Sequence, residues 1–320
     1  MKTLVVVSGG DAPGINSLLY HLAESAARQG DTLIGSLGGL PGVLDEQFTV
    51  LSASSIAPYM GLGGSVLPSS RDPVLSDEAN RHALREILTR QQFDNVLLFG
   101  GNGSLRYLPP ILQELGCACV GIPTTIDNDV PGTEKTLGFD SACQYAYHAI
   151  DGVRTTGHAL SGRFFSVETL GGHCGNLALA IALGAGADAV IVPEYAITDE
   201  NPYVERLKSA LERKGHALLV YTEFVPNKEH LLASLADKVG ARLRETRLGH
   251  AQRGGTPTHT DRLLAREWAR LAFHALKTRI PLSITVWRGG SAALHHGLLP
   301  DTPAPAPDIA VYKLINGLVL

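Results

Sequence analysis

Buried strands followed by glycine-rich loops and then by helices recur along this chain, and this rhythm constrains its fold more than any other feature. Thr3–Val7 is a continuous apolar, β-branched run that ends at Ser8-Gly9-Gly10, and Ile15–Gln29 then carries apolar residues at helical spacing. Asn95–Phe99 repeats the pattern and leads into Gly100–Ser104. Continuous apolar runs between turn signals are typical of parallel strands buried on both faces. The sequence therefore predicts an α/β fold with a doubly wound parallel sheet.

The same alternation continues through the second half of the chain. The other elements that apolar spacing predicts are the strands Thr32–Gly35, Cys119–Ile122, Phe164–Glu168, Ala189–Val192 and Ala217–Thr222, and the helices Glu78–Arg90, Ser141–Arg154, Asn176–Leu183, Asn201–Lys214 and Thr260–Leu276. Leu105–Leu115 is expected to be helical with a break near Pro109 and Pro110. His230–Arg244 is expected to be helical throughout, and Pro300–Pro307 is a Pro/Ala connector to a short C-terminal segment.

Length and composition limit the possible classes of protein. The chain has 320 residues, of which 44% are hydrophobic, and this suggests two domains or lobes. The net charge of −4 argues against nucleic-acid binding, which needs a basic face. No apolar stretch approaches the ~18 residues that a membrane span requires. The four cysteines match no zinc spacing and fit a reducing compartment, so we expect a cytoplasmic protein.

Glycine-rich loops follow two of the predicted strands, at the sheet edge where such folds bind ligands. Gly9–Gly14 and Gly100–Ser104 each let backbone N–H groups approach an anion at the start of a helix. Neither loop is a Walker A motif, because no Gly-Lys-Ser/Thr sequence follows. Each loop is a candidate phosphate site, although glycine-rich turns also occur after strands that bind nothing.

Polar side chains dominate two further loops. The segment Pro123–Thr133 places the carboxylates of Asp127 and Asp129 at a strand end, where an Asp- and Asn-capped turn is the structural alternative. The functional interpretation is that one carboxylate accepts a hydroxyl proton while the other lies near a metal. In the fourth loop, His250 and Arg253 stand three residues apart between glycines and could converge on one phosphate.

Taken together, the four loops resemble those of the 6-phosphofructokinase family. The matching blocks are Gly9–Asn16, Pro123–Asp129 with Gly132-Thr133 and Gly138-Phe139, and Leu248–Pro257 with Asp261-Arg262 and Leu264-Ala265. The resemblance implies two Rossmann-like lobes with mostly parallel sheets flanked by helices. Residues 1–138 and 251–300 would form a larger nucleotide-binding lobe, and residues 139–250 and 301–320 a smaller sugar-phosphate-binding lobe.

The resemblance also implies an activity, which is phosphoryl transfer from Mg-ATP to the 1-hydroxyl of fructose 6-phosphate in glycolysis. Asp127 would be the general base, Thr125 would steady the phosphoryl group, and Asp129 would be a second carboxylate. The implied sugar-phosphate site comprises Arg163, Leu170, Glu223, Arg247, His250 and Arg253. The implied nucleotide-phosphate site comprises Gly10, Arg71, Gly101, Asn102, Gly103 and Ser104.

Subunit contacts and regulation follow from the same resemblance. In that family the positions of Arg163 and Arg247 serve the neighbouring subunit, so a homo-oligomer, typically a homotetramer, is implied. The segment before the fourth loop is shorter here, which makes Arg244 the alternative to Arg247. Two effector-binding arginines of the first helix are matched by Tyr20 and Glu24, so we expect little response to phosphoenolpyruvate or ADP.

Two departures from the family pattern affect the phosphoryl-transfer end of the site. Asn102 replaces the carboxylate that binds Mg²⁺, and an amide oxygen brings no negative charge. Gly172 replaces an arginine that helps to stabilise transition-state charge, and the loss of such a group costs on the order of 10³-fold in rate by analogy with arginine fingers. His173 or Arg106 are candidate substitutes.

Three functions remain open at the level of the sequence. Gly103 resembles the ATP-using branch, whereas Thr124 is neither the lysine of pyrophosphate-using relatives nor the usual glycine. An ATP-dependent 6-phosphofructokinase is the first interpretation. The alternatives are the same fold using pyrophosphate or another sugar phosphate, such as sedoheptulose 7-phosphate, and a catalytically weak regulatory paralogue that binds sugar phosphate.

Overall fold

A computed structural model describes residues 1–71 and 73–319. The chain folds into two compact units. The first unit contains Met1–Ser141 and Arg253–Ala304, and the second contains Ala142–Gln252 and the C-terminal segment from Pro305. The chain passes from one unit to the other after Ser141, Gln252 and Ala304, a few residues later than the boundaries expected from the sequence. Among the described residues, no helix is long and apolar enough to cross a membrane.

The elements are numbered along the chain. The strands are β1 (Lys2–Ser8), β2 (Thr32–Ser36), β3 (Phe48–Leu51), β4 (Asn95–Gly100), β5 (Ala118–Thr125), β6 (Leu137–Gly138), β7 (Arg163–Thr169), β8 (Ala189–Ile191), β9 (His216–Thr222), β10 (Arg242–Arg247), β11 (Leu282–Arg288) and β12 (Ser291–His296). The helices are α1 (Ile15–Arg28), α2 (Gly39–Leu44), α3 (Ala53–Ile56), α4 (Glu78–Arg90), α5 (Asn102–Glu114), α6 (Phe139–Ala159), α7 (Asn176–Ala185), α8 (Asn201–Lys214), α9 (Lys228–Val239), α10 (His259–Lys277) and α11 (Ile309–Asn316). Short 3-10 turns lie at Ala57–Tyr59, Val74–Ser76 and Gly249–Arg253.

The first unit is built on a mixed sheet in the order β12-β11-β5-β4-β1-β2-β3, with β6 paired to β5. Its inner strands are parallel, and β3 and β12 are antiparallel at the two edges. Val5 and Val7 of β1 pack into a core with α1 and α10, whereas Leu4 and Val6 pack into a second core with α4 and α5. Because both faces of β1 are buried, its sequence is continuously apolar.

The second unit has a parallel sheet in the order β10-β7-β9-β8. Phe164 of β7 and Tyr221 of β9 pack against Leu207 of α8 and Leu235 of α9. The predicted class, two α/β units with mostly parallel sheets flanked by helices, is confirmed.

The predicted break at Pro109 and Pro110 is wrong, because both residues lie inside α5. Each proline removes one backbone hydrogen bond and costs roughly 3 kcal/mol in a helix interior. Leu105, Leu108 and Leu112 of the same helix are buried, and each such side chain contributes about 1.5–3 kcal/mol. Burial of this face offsets the lost hydrogen bonds, so the helix continues.

The predicted helix His230–Arg244 is also wrong at its C-terminal end. The helix stops at Val239, where Gly240 adopts φ +73°, and Arg242–Arg247 forms the edge strand β10. Charged residues fill this strand, and four of its six residues are exposed. Charged edge strands discourage pairing with other chains, and their sequences lack the apolar alternation that would mark them as strands.

Candidate active site

The carboxyl ends of β1, β4 and β5 surround a cavity of ≈ 500 Å³ in the first unit. The residues predicted to bind nucleotide phosphates line it together with the predicted catalytic residues. These are Gly10, Arg71, Gly101, Asn102, Gly103, Ser104, Thr125, Asp127 and Asp129. The three loops meet because β1 lies between β2 and β4, and β4 lies between β1 and β5.

The two glycine-rich loops are connected at this edge of the sheet. Ser8 pairs in register with Gly100, and the Ser8 and Ser104 hydroxyl groups lie 3.0 Å apart. Gly9 has φ +98°, a conformation that disfavours other residues. Helix α5 begins at Asn102 without a side-chain cap on its first turn. Its free backbone N–H groups therefore suit a phosphate group.

The segment after β5 is held by its own hydrogen bonds. The Thr125 hydroxyl accepts a bond of 3.1 Å from the backbone N–H of Asp127, and the Thr136 hydroxyl donates to the Thr125 carbonyl at 2.7 Å. Asn128 adopts φ +51°, which turns the chain sharply between the two aspartates. The turn orients both carboxylates toward the cavity, so the capped-turn interpretation and the functional one describe the same residues.

Asp129 carries a buried carboxylate oxygen. Its Oδ1 atom has no hydrogen-bond donor among the residues that the structure describes. Burial and the charge of Asp127 raise the pKa of Asp129 to about 6, although a hydrogen bond from Asn102 and the charge of Arg106 act in the opposite direction. A buried oxygen without a donor is costly unless a proton or a cation meets it. This end of the cavity is therefore suited to a hard cation.

Asn102 and Arg106 form a pair one turn apart at the start of α5. The Arg106 Nε–H donates to the Asn102 Oδ1 at 2.7 Å, and the guanidinium also donates to the Thr302 carbonyl. The amide oxygen is therefore occupied by a cationic donor. His173, the other candidate substitute for the missing arginine, stacks on Phe224 with ring centroids 4.9 Å apart in the second unit.

An apolar wall of the cavity was missed from the sequence. Leu40, Pro73, Tyr107 and Leu108 line the cavity beside the glycine-rich loops. They come from α2, α5 and the segment before Val74, so no single motif connects them. Tyr107 is one of the exposed large hydrophobic residues of the chain, and that exposure could be recognised only once the helix was placed.

In the second unit, part of the predicted sugar-phosphate site lies at the carboxyl ends of β7 and β9. The Glu223 Oε1 accepts a hydrogen bond of 3.1 Å from the Gly172 N–H, and the Glu223 N–H donates to the Thr169 carbonyl. Leu170 is buried immediately after β7. His250 is exposed in the 3-10 turn that follows β10.

Gln252 is a residue of this region that the sequence did not single out. It is fully buried, and its Oε1 accepts from the Leu170 N–H at 2.7 Å while its Nε2 donates to the Ala142 carbonyl at 3.4 Å. A buried amide that uses both its donor and its acceptor fixes its neighbours strongly. In the sequence, only its position between His250 and Arg253 indicated that Gln252 could belong to the site.

Arg163 does not lie with these residues. It begins β7, and Thr169 ends that strand, roughly 20 Å away at 3.3 Å per residue. Arg163 lines a separate cavity of ≈ 350 Å³ with Arg244. Arg247 is not among the lining residues and lies 3.8 Å from Glu245. The structure thus groups Arg163 with Arg244, the alternative to Arg247 that the shorter segment suggested.

The fold and the cavity define a class of protein: an α/β protein that presents anion-binding loops and a pair of aspartates at one sheet edge, as phosphoryl-transfer enzymes do. The family model described as Phosphofructokinase matches residues 2–276. The chain therefore belongs to the phosphofructokinase family.

Individual relatives agree with this assignment. The chain is 39% identical over 279 residues to the ATP-dependent 6-phosphofructokinase of Clostridioides difficile (strain 630), covering 87% of this chain and 86% of the relative. It is 33% identical over 309 residues to the protein of the same name from Coxiella burnetii (strain RSA 493 / Nine Mile phase I), covering 96% and 92%.

Solved structures share the fold. A pyrophosphate-dependent phosphofructokinase from Marinobacter aquaeolei matches with a TM-score of 0.82 at 19% identity, covering 97% of this chain and 86% of that one. A phosphofructokinase from Saccharomyces cerevisiae matches with a TM-score of 0.81 at 24% identity, covering 92% of this chain. This chain spans only 44% of the length of the yeast chain.

Proposed function

We propose that this chain is an ATP-dependent 6-phosphofructokinase, which transfers the γ-phosphoryl group of Mg-ATP to the 1-hydroxyl of fructose 6-phosphate in glycolysis. One observation carries the proposal: a single cavity combines anion-binding loops, two aspartates and an apolar wall. The name of the bacterial relatives supports the same donor and acceptor. The products are fructose 1,6-bisphosphate and ADP.

The apolar wall favours a nucleotide over pyrophosphate as the donor. Leu40, Pro73 and Tyr107 offer a surface on which a purine base can pack. Pyrophosphate has no apolar part and would leave this wall exposed. Gly103 also leaves room, because a Cβ atom at that position would meet no other heavy atom within 4 Å.

Asp127 is the general base in this proposal. Its carboxylate accepts the proton of the 1-hydroxyl as the hydroxyl oxygen bonds to the γ-phosphorus, and the bond from that phosphorus to the β–γ bridging oxygen breaks to release ADP. Thr125 accepts the Asp127 N–H through its oxygen, which leaves its hydroxyl hydrogen for a phosphoryl oxygen. General-base catalysis of this kind contributes about 10²- to 10⁴-fold in rate.

Mg²⁺ fits the carboxylate end of the cavity. Asp129 would hold it, since it presents a buried oxygen and the Asn102 oxygen already accepts from Arg106. Among the described residues, no group of three or more His, Cys, Asp or Glu side chains is arranged to hold a metal ion, so donor phosphates and water would complete the ligand set. When bound, Mg²⁺ neutralises phosphate charge.

The acceptor residues are assigned to the second unit. Leu170, Glu223 and His250 would bind the sugar phosphate of their own chain. Arg163 of β7 and Arg244 of β10, which line one cavity away from these residues, would serve a neighbouring copy in a homotetramer. We expect the enzyme in the cytoplasm, because this reaction uses cytoplasmic metabolites and the four cysteines of the chain are not joined by disulfides.

A donor comparison tests the proposal. Purified protein is incubated with fructose 6-phosphate and Mg²⁺, together with either ATP or pyrophosphate, and fructose 1,6-bisphosphate is measured. We expect product with ATP and at least ~100-fold less with pyrophosphate, in line with the loss of base contacts. Equal or greater turnover with pyrophosphate would contradict the assigned donor. Sugar-phosphate binding without turnover would indicate the regulatory alternative.

A further inference from the structure

Lys228 occupies an unusual position for a lysine. It is the first residue of α9, where the helix dipole disfavours a positive charge, and only 18% of its side chain is exposed. Lysine side chains are seldom buried unless their charge is paired. The residue also lies outside every block that carries the family resemblance. Contacts of the ammonium group must therefore account for this placement.

The Lys228 ammonium group bridges the ends of two strands. Its Nζ donates to the Glu168 Oε2 at 2.5 Å and to the Glu223 carbonyl at 2.8 Å. Glu168 is the penultimate residue of β7, and Glu223 directly follows β9. Strands β7 and β9 pair in parallel register as far as Thr169 and Thr222. The lysine thus joins the two strands where their main-chain pairing ends.

Glu223 is held at three points by this arrangement. The Lys228 Nζ bonds to its carbonyl, its N–H donates to the Thr169 carbonyl at 3.0 Å, and its Oε1 accepts from the Gly172 N–H at 3.1 Å. Of these three contacts, the one from Lys228 is made by the side chain of another residue. A carboxylate whose backbone and side chain are both fixed loses less freedom when it binds a ligand.

Glu168 supports the neighbouring loop in addition. Its carbonyl accepts from the Leu248 N–H at 3.0 Å, two residues before His250. Its side chain is 12% exposed, and its carboxylate pairs with Lys228. Without a partner, a carboxylate so deeply buried would repel a dianionic sugar phosphate bound at the same sheet edge. Lys228 therefore neutralises Glu168 and at the same time holds Glu223.

We propose that Lys228 is a positioning residue of the sugar-phosphate site, which acts through Glu223 and Glu168 without contacting the reacting atoms. The inference rests on the proposed function for the identity of the acceptor. It adds a residue from the start of α9 to an acceptor site whose other members, Leu170, Glu223 and His250, follow strands. All of these residues belong to the second unit.

Binding and steady-state kinetics of Lys228→Met test this role. Titration calorimetry should show an affinity for fructose 6-phosphate about 10-fold lower than in the wild type. The KM for fructose 6-phosphate should rise by a similar factor, whereas kcat and the KM for ATP should change less than ~2-fold, as expected when binding alone is weakened. The nucleotide cavity lies in the first unit, which also contains Arg253.

Three further variants separate positioning from the loss of an ion pair. Lys238→Met, the matched control, breaks the 2.9 Å pair with Glu200 in the last turn of the same helix and should leave affinity within ~2-fold of the wild type. Lys228→Arg should retain most of the affinity, because it restores the charge. In Lys228→Met/Glu168→Gln no charge stays unpaired, but the Glu223 carbonyl still lacks its donor, so we expect affinity about 3-fold below the wild type.

Two results would overturn the proposal. One is an unchanged affinity for fructose 6-phosphate in Lys228→Met together with a lower temperature of unfolding, because the pair would then only support folding. The other is an equal loss of affinity in Lys238→Met. Wild-type affinity in the double variant would also contradict a role through Glu223, and this variant decides the question if Lys228→Met does not fold. Failure of the wild-type protein to bind and phosphorylate fructose 6-phosphate would contradict the proposed function instead, so the two failures are distinguishable.

Discussion

At the scale of single residues, the neutral amide of Asn102 has the clearest consequence for chemistry. Compared with an aspartate at this position, Asn102 leaves one negative charge fewer at the end of the cavity that holds Asp127 and Asp129. Its side-chain oxygen also accepts a hydrogen bond from Arg106. Two carboxylates beside a cationic pair attract Mg²⁺ less strongly than three carboxylates would. This chain is therefore expected to bind its metal more weakly than a form with aspartate at position 102.

The substitution Asn102→Asp tests that expectation. We expect the Mg²⁺ concentration for half-maximal activity to fall about 3- to 10-fold, because affinity of such sites follows the number of ligand charges. Mn²⁺ binding measured by electron paramagnetic resonance without substrates should tighten in parallel. Arg106→Lys, which keeps the positive charge beside the cavity, is the control and should have a smaller effect. An unchanged metal dependence in Asn102→Asp would contradict this view of the cavity.

Residues within motifs could be brought together from the sequence, because each motif follows a strand and the ends of neighbouring parallel strands meet. Asp127, Asn102 and Gly10 are examples, and all three line one cavity. The apolar wall could not be found in this way, since Leu40 and Tyr107 belong to no motif. Their common position depends on how α2 and α5 pack, which is decided by tertiary contacts.

At the scale of elements, one buried carboxylate joins α10 to the segment after β6. Asp261 is 1% exposed and accepts hydrogen bonds from the Gly138 N–H at 3.0 Å and from the Ser141 N–H at 2.9 Å. The Ser141 hydroxyl donates to it as well. The start of α10 is therefore fixed to the beginning of α6, which follows β6, the short strand that pairs with Thr124 and Thr125.

Removal of this carboxylate should destabilise the protein. In Asp261→Ala three buried donors lose their acceptor, and we expect the free energy of unfolding to fall by about 3 kcal/mol. Urea unfolding followed by circular dichroism measures the change. Asp77→Ala, which removes an exposed cap of α4, is a control for the loss of a carboxylate and should cost only about 1 kcal/mol. A loss at Asp261 no larger than at Asp77 would contradict the role assigned to it.

The same residue predicts a dependence of stability on pH. Burial raises the pKa of Asp261 to about 6, above its ordinary value of 3.8. The folded state therefore binds the proton of the Asp261 carboxyl more tightly than the unfolded state does. This proton binding stabilises the folded state fully below about pH 4, and the stabilisation is lost as pH rises to about 6. The difference amounts to about 3 kcal/mol. Asp261→Asn should lose this part of the pH dependence of the urea midpoint between about pH 4 and pH 7, whereas an unchanged profile would contradict the assignment.

Elements with a regular apolar pattern were predictable, and those governed by neighbours were not. The apolar run of β1 identified its strand within one residue at each end. The edge strand β10 has no such apolar pattern in its charged sequence. It is a strand because it pairs in parallel register with β7, and that pairing could not be predicted from its own residues. The proline pair in α5 led to the opposite error, the prediction of a break where the helix continues. Burial of the apolar face of α5 outweighs the local cost of the two prolines.

At the scale of the whole molecule, the position of Arg163 and Arg244 raises the question of what they bind. Arg163 begins β7, and Arg244 lies on β10 opposite Phe165, so both stand several residues before the strand ends that carry Leu170 and Glu223. Two arginines beside a cavity suit an anionic ligand. We propose that a site shared between copies of the chain accounts for their position.

Hybrid oligomers test this sharing. Asp127→Asn and Arg244→Ala chains carrying different tags are co-expressed, and the mixed assemblies are isolated through both tags. Each variant alone should have low activity, whereas the hybrids should recover activity because some sites combine an intact Asp127 with an intact Arg244. Arg247→Ala is the matched control and should have nearly normal activity alone. Hybrids no more active than the parents would contradict the sharing of sites.

The central claim, that Asp127 is the base for phosphoryl transfer from ATP to fructose 6-phosphate, has one most direct measurement. Single-turnover formation of fructose 1,6-bisphosphate is compared between the wild-type protein and Asp127→Asn at saturating substrates. We expect product from the wild type and a rate lower by about 10²- to 10⁴-fold in the variant, with both substrates still bound. Equal rates, or no product from the wild type, would contradict the claim.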